Sequence, residues 1–342
     1  MLTSIAQRRI QNFMSNRRAF YALWIFLSLF VICLFAEVIA NDKPLIIRYN
    51  DKFYFPLLHK DYTEITFGGD LDLEVDYHDS YTRELIVKDE GWMIWPPIRF
   101  KHDTVDYNLE RPSPAPPSKR HLLGTDDQAH DIVALILYGF RISVFFGLIL
   151  TFMSSIIGIM AGAVQGYFGG KLDILMQRFI EIWASIPTLY LIIIITSIIT
   201  PTFGLLLLIL LLFSWLSLVG VVRAEFLRTR NFEYIKAARA LGVKHFKIMF
   251  KHILPNAMTA ALTFLPFILN GSIIALTSLD FLGFGLPIGS PSLGRLLAQG
   301  KANLHSPWIG ISTFIVLATM LSLLIFIGEG VRDALDPRKN FV

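Results

Sequence analysis

Six apolar stretches of about twenty residues dominate this sequence and limit what it can fold into. An α-helix rises about 1.5 Å per residue, so about twenty apolar residues cross the hydrocarbon layer of a bilayer. Only 17% of the 342 residues are charged, fewer than in a typical soluble domain. We therefore predict an all-α integral membrane protein with six transmembrane helices, at residues 19–40, 142–165, 179–199, 203–222, 257–279 and 308–328. The first stretch is too long for the core of a signal peptide and is predicted to remain as a membrane helix.

The segments between the apolar stretches carry charges of opposite sign. Residues 42–131 include 18 acidic and 11 basic side chains, whereas residues 223–252 include eight basic and two acidic ones. Short segments rich in Lys and Arg stay in the cytoplasm. We therefore predict a cytoplasmic N-terminus (1–18), a cytoplasmic 223–252 segment and a cytoplasmic tail (338–342). Because the basic residues flank apolar runs, the net charge of +4 indicates membrane topology and no nucleic-acid partner.

The long outer segment predicts a small β-rich insertion over residues 41–120. Alternation of apolar and acidic residues indicates a strand at 71–77, and 65–67 and 85–87 are further strand candidates. The proline-rich run at 111–117 is typical of a stiff spacer that leads back to the membrane. We interpret the insertion as an accessory domain without chemistry; a docking surface for an external partner is the alternative.

A capping-box pattern follows the spacer. Thr125 and Gln128 stand three residues apart, which predicts a short helix over 126–138 near the outer membrane surface. Asp126, Asp127, His130 and Asp131 lie close together in sequence, as metal ligands do. Consecutive residues point around a helix, however, so we interpret them as capping groups and predict no metal site, no catalytic site and no cofactor.

Glycines recur at four-residue spacing in the second apolar stretch. Gly158, Gly162 and Gly166 share one face of a helix, which predicts close approach of a neighbouring helix.

Two prolines and one acid mark candidate pathway positions. Pro187 and Pro266 lie inside apolar stretches, where each removes a backbone hydrogen bond and is predicted to kink its helix. Asp280 is costly in lipid, so we expect it near the outer end of the fifth helix or facing the pathway. These three residues are our gate candidates.

The cytoplasmic segment at 223–256 has a pattern of its own. We predict two short helices broken at Gly242, with Ala237 and Ala238 forming a flat contact face and Pro255 ending the segment before the fifth membrane helix. Apolar residues at near-helical spacing are expected to face the membrane domain: Val243, Phe246, Met249 and Ile253. Three lysines are expected on the wet side: Lys244, Lys247 and Lys251.

This segment resembles a known motif. Ala237-Ala238, then Gly242, then Ile253-Leu254-Pro255 is similar to the EAA loop of bacterial ABC-importer permeases. Five further stretches resemble the dipeptide/oligopeptide/nickel permease family in its second-permease, or C-type, branch: 121–126, 139–143, 166–173, 186–187 and 280–285. The resemblance covers about 121–337, the permease core domain, and the first helix. The long outer segment and residues 289–294 are similar to Yej-type permeases of peptide and microcin C uptake.

The resemblance implies a type I permease core in the bacterial inner membrane. It implies a separate cytoplasmic P-loop ATPase that docks on the EAA loop, a periplasmic peptide-binding protein, and a second, homologous permease that completes a heterodimer. Ala237, Ala238 and Gly242 would be the contact and hinge positions. Lys236 stands where the motif has glutamate, and Glu233 lies about one turn earlier, so the charged contact to the ATPase stays open between them. His252 stands where a general EAA loop has isoleucine.

Two other classes of protein fit less well. An ion-coupled secondary transporter is the main alternative, but such proteins usually have ten or more helices with acids at the midplane. A membrane enzyme with its site in the outer segment would need a nucleophile and a base, and the acidic alternation provides neither. The sequence also lacks a phosphate-binding loop, so we predict a non-catalytic subunit whose ATP is hydrolysed by a partner.

Overall fold

A computed structural model describes residues 4–59, 62–70, 72–88 and 91–336, so the predicted tail at 338–342 and Leu71 lie outside the described residues. The chain is mainly helical. The helices are α1 (Ser4–Ser15), α2 (Arg17–Leu34), α3 (Ala36–Ile39), α4 (Ser80–Lys88), α5 (Ile132–Phe168), α6 (Gly170–Ala184), α7 (Thr188–Ile198), α8 (Phe203–Ser214), α9 (Leu216–Thr229), α10 (Glu233–Ala240), α11 (His245–Lys247), α12 (Leu254–Phe281), α13 (Leu293–Ala302) and α14 (Pro307–Leu335). The strands are β1 (Ile46–Tyr49), β2 (Lys52–Tyr54) and β3 (Trp92–Ile94).

Five stretches of the described chain are long and apolar enough to cross a membrane. They are Arg17–Leu34, Ile132–Phe168, Phe203–Thr229, His245–Phe281 and Pro307–Leu335. The pair α6 and α7 counts as a sixth span if the two helices are taken together, although they are bent by 62° at the break between them. The predicted fold class, a six-helix membrane protein with a small sheet, is confirmed.

The third and second spans differ from their predicted forms. Pro187 occupies the break between α6 and α7, so the kink predicted at this proline is present, and it divides the third span predicted at 179–199 into two helices. The short helix predicted over 126–138 is wrong, because α5 begins at Ile132 and runs on without interruption. Asp131 caps this helix by accepting a hydrogen bond from the Ala134 amide at 2.9 Å. Thr125 instead accepts from the Ala115 amide at 2.9 Å.

The chain divides into two compact units. One is built mainly from Ser143–Pro287 and the other from Leu29–Ile142 with Ile288–Val316. The first unit contains the segment at 223–256, and the second contains the insertion.

The insertion contains a three-stranded antiparallel sheet in the order β2-β1-β3. Ile47 on the central strand pairs with Tyr54 on one side and Met93 on the other. The sheet packs over a core in which Ile47, Phe67 and Ile86 are fully buried.

The predicted strands do not coincide with these elements. Residues 65–67 lie in a 3₁₀ turn (Glu64–Phe67), and 85–87 lie in α4. The described part of 71–77 is irregular apart from a bridge between Glu74 and Thr63. Phe67 and Ile86 are buried as their hydrophobicity demands, but in runs of three residues hydrophobicity does not distinguish a strand from a helical turn.

Candidate functional site

The polar stretch at 230–253, here called the coupling segment, contains α10, a turn and a second helical start. Gly242 forms the turn with a φ of 75°, a left-handed conformation in which a side chain costs about 1 kcal/mol. No atom lies within 4 Å of where its Cβ would be, so backbone geometry rather than space favours glycine here. The predicted break at Gly242 is therefore present.

One side of α10 is anchored in the unit that contains it. Ile235 is fully buried in a cluster with Phe226, Ile248 and Ile253. Ala238 packs against the same cluster from its edge. Burying an isoleucine side chain contributes about 1.5–3 kcal/mol, so this contact fixes which face of α10 points inward.

The other side of α10 faces outward. Ala237 is exposed, and Tyr234 and Leu241 keep 46% and 83% of their surface accessible. Glu233 and Lys236, the two candidates for the charged contact, pair with each other at 2.8 Å at the start of the helix. The outward face thus combines apolar side chains with an exposed ion pair, a composition typical of a protein-binding surface.

A single tyrosine joins the coupling segment to the end of α5. The Tyr167 ring is buried, and the Arg239 guanidinium of α10 lies 4.9 Å above its centroid. The Tyr167 hydroxyl lies 2.7 Å from Nδ1 of His245, where the second helical start begins. Arg230 donates to the Tyr167 carbonyl oxygen at 3.3 Å. Residues before, within and after α10 therefore all contact Tyr167.

The predicted glycine face on α5 lies against α9. A Cβ on Gly158 would come 2.5 Å from the Trp215 carbonyl oxygen, and one on Gly166 would come 2.6 Å from that of Arg223. The corresponding distance for Gly162, to the Val219 carbonyl oxygen, is 2.7 Å. Real Cβ atoms do not approach so closely, so the two backbones touch at these three turns.

An ion pair lies next to this contact. Arg223 of α9 donates two hydrogen bonds to the Asp173 carboxylate of α6, at 2.6 and 2.7 Å. Two parallel bonds of this kind fix the orientation of both groups. The end of α9, from which the coupling segment continues, is thereby held to both α5 and α6.

The second half of the coupling segment differs from its predicted form. Pro255 does not end it, because the helix runs from His245 through a π-helical stretch (Ile248–Ile253) into α12. The prediction that Phe246 faces the membrane domain is wrong: it is 75% exposed, and Ile248 is buried instead. A π-helical turn spaces equivalent positions about five residues apart, so Ile248 and Ile253 share the buried face. It also shifts the hydrogen-bond register just before a proline, which has no amide to donate.

The gate candidates lie at separate places. Pro187 is in the α6–α7 break, Pro266 is inside an unbroken α12, and Asp280 is one residue before the end of α12. Pro266 and Asp280 are fourteen residues apart, or about 21 Å along the helix. The buried Asp280 carboxylate accepts from the Leu286 amide at 2.6 Å and so closes the turn that follows α12.

Among the described residues, no group of three or more His, Cys, Asp or Glu side chains is arranged to hold a metal ion.

The sequence analysis did not predict the contacts of Tyr167 with Arg239 and His245. The available signal was the position of Tyr167 at the start of the 166–173 stretch that carries the family resemblance, directly after the last glycine of the packing face.

Comparison with known proteins identifies the family. Residues 154–341 match the family described as the inner membrane component of binding-protein-dependent transport systems. This chain belongs to that family. It is 57% identical to the inner membrane ABC transporter permease protein YejE of Escherichia coli, over 99% of this chain and 98% of the relative. It is 54% identical to the peptidoglycan transport system permease protein YejE of Agrobacterium fabrum, over 98% and 93%.

A more distant relative is the oligopeptide transport system permease protein OppC of Haemophilus influenzae, 35% identical over 70% of this chain and 77% of the relative. The resemblance to Yej-type and C-type permeases inferred from the motifs is confirmed. The chain is thus a multi-pass inner-membrane permease component, and the coupling segment lies within the matched region.

Proposed function

We propose that this chain is one permease half of an ATP-binding-cassette importer for peptides, and that α10 docks on a separate cytoplasmic ATPase. The observation that carries the proposal is the two-sided construction of α10. Its inner face is anchored through Ile235 and Tyr167, and its outer face presents Tyr234, Ala237 and Leu241. A helix held on one side and open on the other is suited to transmit a push from a partner.

The proposed assembly has four kinds of subunit. The ATPase binds the outer face of α10, a homologous second permease completes the pathway, and a periplasmic binding protein delivers the substrate. Two relatives are named for peptidoglycan and oligopeptide transport, which supports peptides as the substrate class. Peptide–nucleotide conjugates of the microcin C type are included in that class. Both termini are cytoplasmic in this proposal.

The proposal assigns a role to each candidate residue. Ala237 and Ala238 lie at the docking face and its edge, and Gly242 is the hinge between α10 and the second helical start. Either Glu233 or Lys236 supplies the charged contact once their mutual ion pair opens, and Pro255 lies where the segment joins α12. Movement of α10 reaches α5 through Tyr167. We propose that this movement opens and closes the pathway at three gate positions, Pro187, Pro266 and Asp280.

The test is a matched pair of glycine substitutions. Gly242→Asp places a charged side chain at the docking surface, and Gly289→Asp makes the same change at a glycine with a φ of 89° that also has no atom within 4 Å of a Cβ. We expect both variants to insert in the membrane. The ATPase should co-purify in mild detergent with Gly289→Asp and with the unaltered chain, and should be lost with Gly242→Asp. Normal uptake of a defined peptide by Gly242→Asp would contradict the proposal.

A labelling experiment tests the orientation. Cys33 is the single cysteine of the sequence, so Cys33→Ala gives a background for one added thiol. Lys244 is exposed, so Lys244→Cys in that background adds one accessible thiol. This thiol should react with a membrane-impermeant maleimide only after the inner membrane is permeabilised. Reaction in intact cells with a permeable outer membrane would place the coupling segment outside, where no ATPase could engage it.

A further inference from the structure

The insertion contains an open cleft that the transport function does not use. Its volume is about 1340 Å³, and all of its walls come from residues 42–120. The lining includes the stretch from Glu74 into the first turn of α4 and most residues from Pro97 to Asn108. Sites for drug-sized molecules measure about 300–1,000 Å³, so this cleft has room for a ligand as large as a short peptide.

Two residues of the lining, His78 and Phe100, belong to a stack of aromatic rings. The His78 ring lies 5.3 Å from Trp95 and 5.4 Å from Phe100, between centroids, and is stacked on the latter. Phe100 in turn lies 4.4 Å from His121, whose two ring nitrogens contact buried carboxylates. These contacts hold the His78 and Phe100 rings in one arrangement before any ligand binds, which lowers the cost of ordering a site on binding.

Charges of both signs line the cleft, and part of them is already paired. Lys43 binds Glu74 at 2.6 Å, and Arg120 lies 3.1 Å from Asp106. Asp103 binds Lys101 at 2.8 Å, and the remaining charged groups of the lining have no ion-pair partner among the described residues. The basic ones are Arg83, Arg99 and Lys119, and the acidic ones are Asp42, Asp76 and Asp79.

The unpaired cations cluster near one ring. Arg83 and Arg99 approach the Trp95 indole to 5.4 and 5.3 Å from its centroid. Both groups are positively charged and line the cleft, so a carboxylate that enters here is attracted by both and can accept their hydrogen bonds. The exposed carboxylates of Asp76 and Asp79 lie in the sequence just before Arg83 and provide a site for an ammonium group.

We propose that this cleft binds short peptides by their free ends, with the terminal carboxylate at Arg83 and Arg99 and the terminal ammonium at Asp76 and Asp79. The inference rests on the proposed peptide substrate and adds a periplasmic capture site formed by the permease chain itself. A zwitterion matches the unpaired charges of the lining, whereas a purely anionic ligand would leave the acidic groups without a partner and a purely cationic ligand would leave the basic groups without one.

Binding to the full-length chain, purified in detergent without partner subunits, tests the proposal. Calorimetry would compare three probes: trialanine, its N-acetyl derivative and its C-terminal amide. We expect trialanine to bind and each blocked form to bind about tenfold more weakly or worse, because each lacks one charged hydrogen-bonding group. Equal binding of all three probes, or no binding of any at millimolar concentration, would overturn the proposal.

Two variants and one control assign the ends. In Arg99→Gln the difference between trialanine and its amide should shrink, because Arg83 alone remains for the carboxylate. In Asp79→Asn the difference between trialanine and its N-acetyl form should shrink for the same reason, because Asp76 alone remains for the ammonium group. Arg48→Gln is the matched control, because Arg48 is exposed in the same insertion and pairs with Asp51 outside the cleft. A general loss of folding would weaken all probes alike and would not remove one discrimination while leaving the other.

The outcome also separates this inference from the proposed function. Trialanine uptake by the whole complex without binding to the isolated chain would overturn the cleft and leave the importer proposal standing. The opposite result is that trialanine binds the isolated chain, that Arg99→Gln weakens this binding but not the binding of the amide, and that the whole complex shows no ATP-dependent uptake. This result would support the cleft and overturn the importer proposal.

Discussion

The insertion and the coupling segment are both polar stretches between membrane helices, yet they are built in opposite ways. In the insertion, Phe67 is fully buried and contacts the rings of Tyr49, Tyr54 and Tyr77 edge to face, between 5.2 and 6.2 Å. In α10 of the coupling segment, Ile235 is the only buried side chain. The insertion therefore has a closed core of its own, whereas α10 depends on the membrane helices beneath it.

A histidine beside the insertion and a histidine of the coupling segment show the same contrast. His121 of the second unit is enclosed, with Nδ1 at 2.8 Å from Asp131 and Nε2 at 3.1 Å from Asp106. His245 of the coupling segment is exposed and makes one bond, to Tyr167. A group bonded on both sides resists movement, and a group bonded on one side permits it. His121 is therefore held from two sides, whereas His245 is held by a single hydrogen bond.

Loss of the insertion core is the largest effect that this comparison predicts. Phe67→Ala should destabilise the insertion by about 3–5 kcal/mol, because it leaves a cavity among the tyrosine rings. Limited proteolysis should then cut within 42–120, while ATPase co-purification, which depends on the coupling segment, should persist. Leu73→Ala is the matched control, since Leu73 is 59% exposed and its truncation should change neither readout. Protease resistance of Phe67→Ala equal to that of the control would contradict the closed core.

The next effect concerns the helix contact beneath the coupling segment. Gly166→Ala forces a Cβ to within 2.6 Å of both the Arg223 carbonyl oxygen and the Phe226 side chain. We expect a destabilisation of about 1–3 kcal/mol, measured as a lower midpoint of thermal unfolding in detergent. Gly271→Ala is the control, because that helical glycine has open space and alanine is the better helix former. A similar midpoint in both variants would show that α5 and α9 are less closely packed than described.

Hydrophobic length was enough to predict the membrane spans, because a bilayer accepts few alternatives to an apolar helix. The spacing of Gly158 and Gly166 likewise restricted them to one helix face. The strands of the insertion were mispredicted because short apolar runs such as the one ending at Phe67 signal burial without signalling conformation. The Tyr167–His245 contact joins residues 78 positions apart, and no local pattern encodes such a contact.

A pH dependence follows from the enclosed histidine. Burial opposes a charge on His121, but the hydrogen bonds from its ring to Asp131 and Asp106 outweigh it and raise the pKa of His121 above its ordinary value. A raised folded-state pKa adds stability that is fully present below the unfolded pKa of about 6.5 and is lost as pH rises through the folded pKa.

The stability of the region around His121, which joins Asp106 of the insertion to Asp131 at the start of α5, should therefore fall as pH rises above about 6.5, by at most about 1.4 kcal/mol per pH unit for this group. The pKa of His130 is also raised, chiefly by its hydrogen bond to Asp126, so it acts in the same direction. Hydrogen exchange at several pH values would measure the effect. His121→Gln and His130→Gln should each flatten the profile in part. A profile that is unchanged in His121→Gln would show that its charged form is not favoured by the fold.

The smallest effect on stability should have the clearest effect on transport. Tyr167→Phe keeps the buried ring and its contact with Arg239 but removes the hydroxyl that bonds His245, at a cost of about 1 kcal/mol. The outer face of α10 is unchanged, so the ATPase should still co-purify. The second helical start would lose its link to α5, and ATP hydrolysis should then proceed with less peptide uptake per ATP. Tyr21→Phe, at a tyrosine that is 61% exposed, should preserve the ratio of uptake to hydrolysis. A preserved ratio in Tyr167→Phe as well would mean that motion reaches the membrane helices through Ile235 and its buried cluster instead.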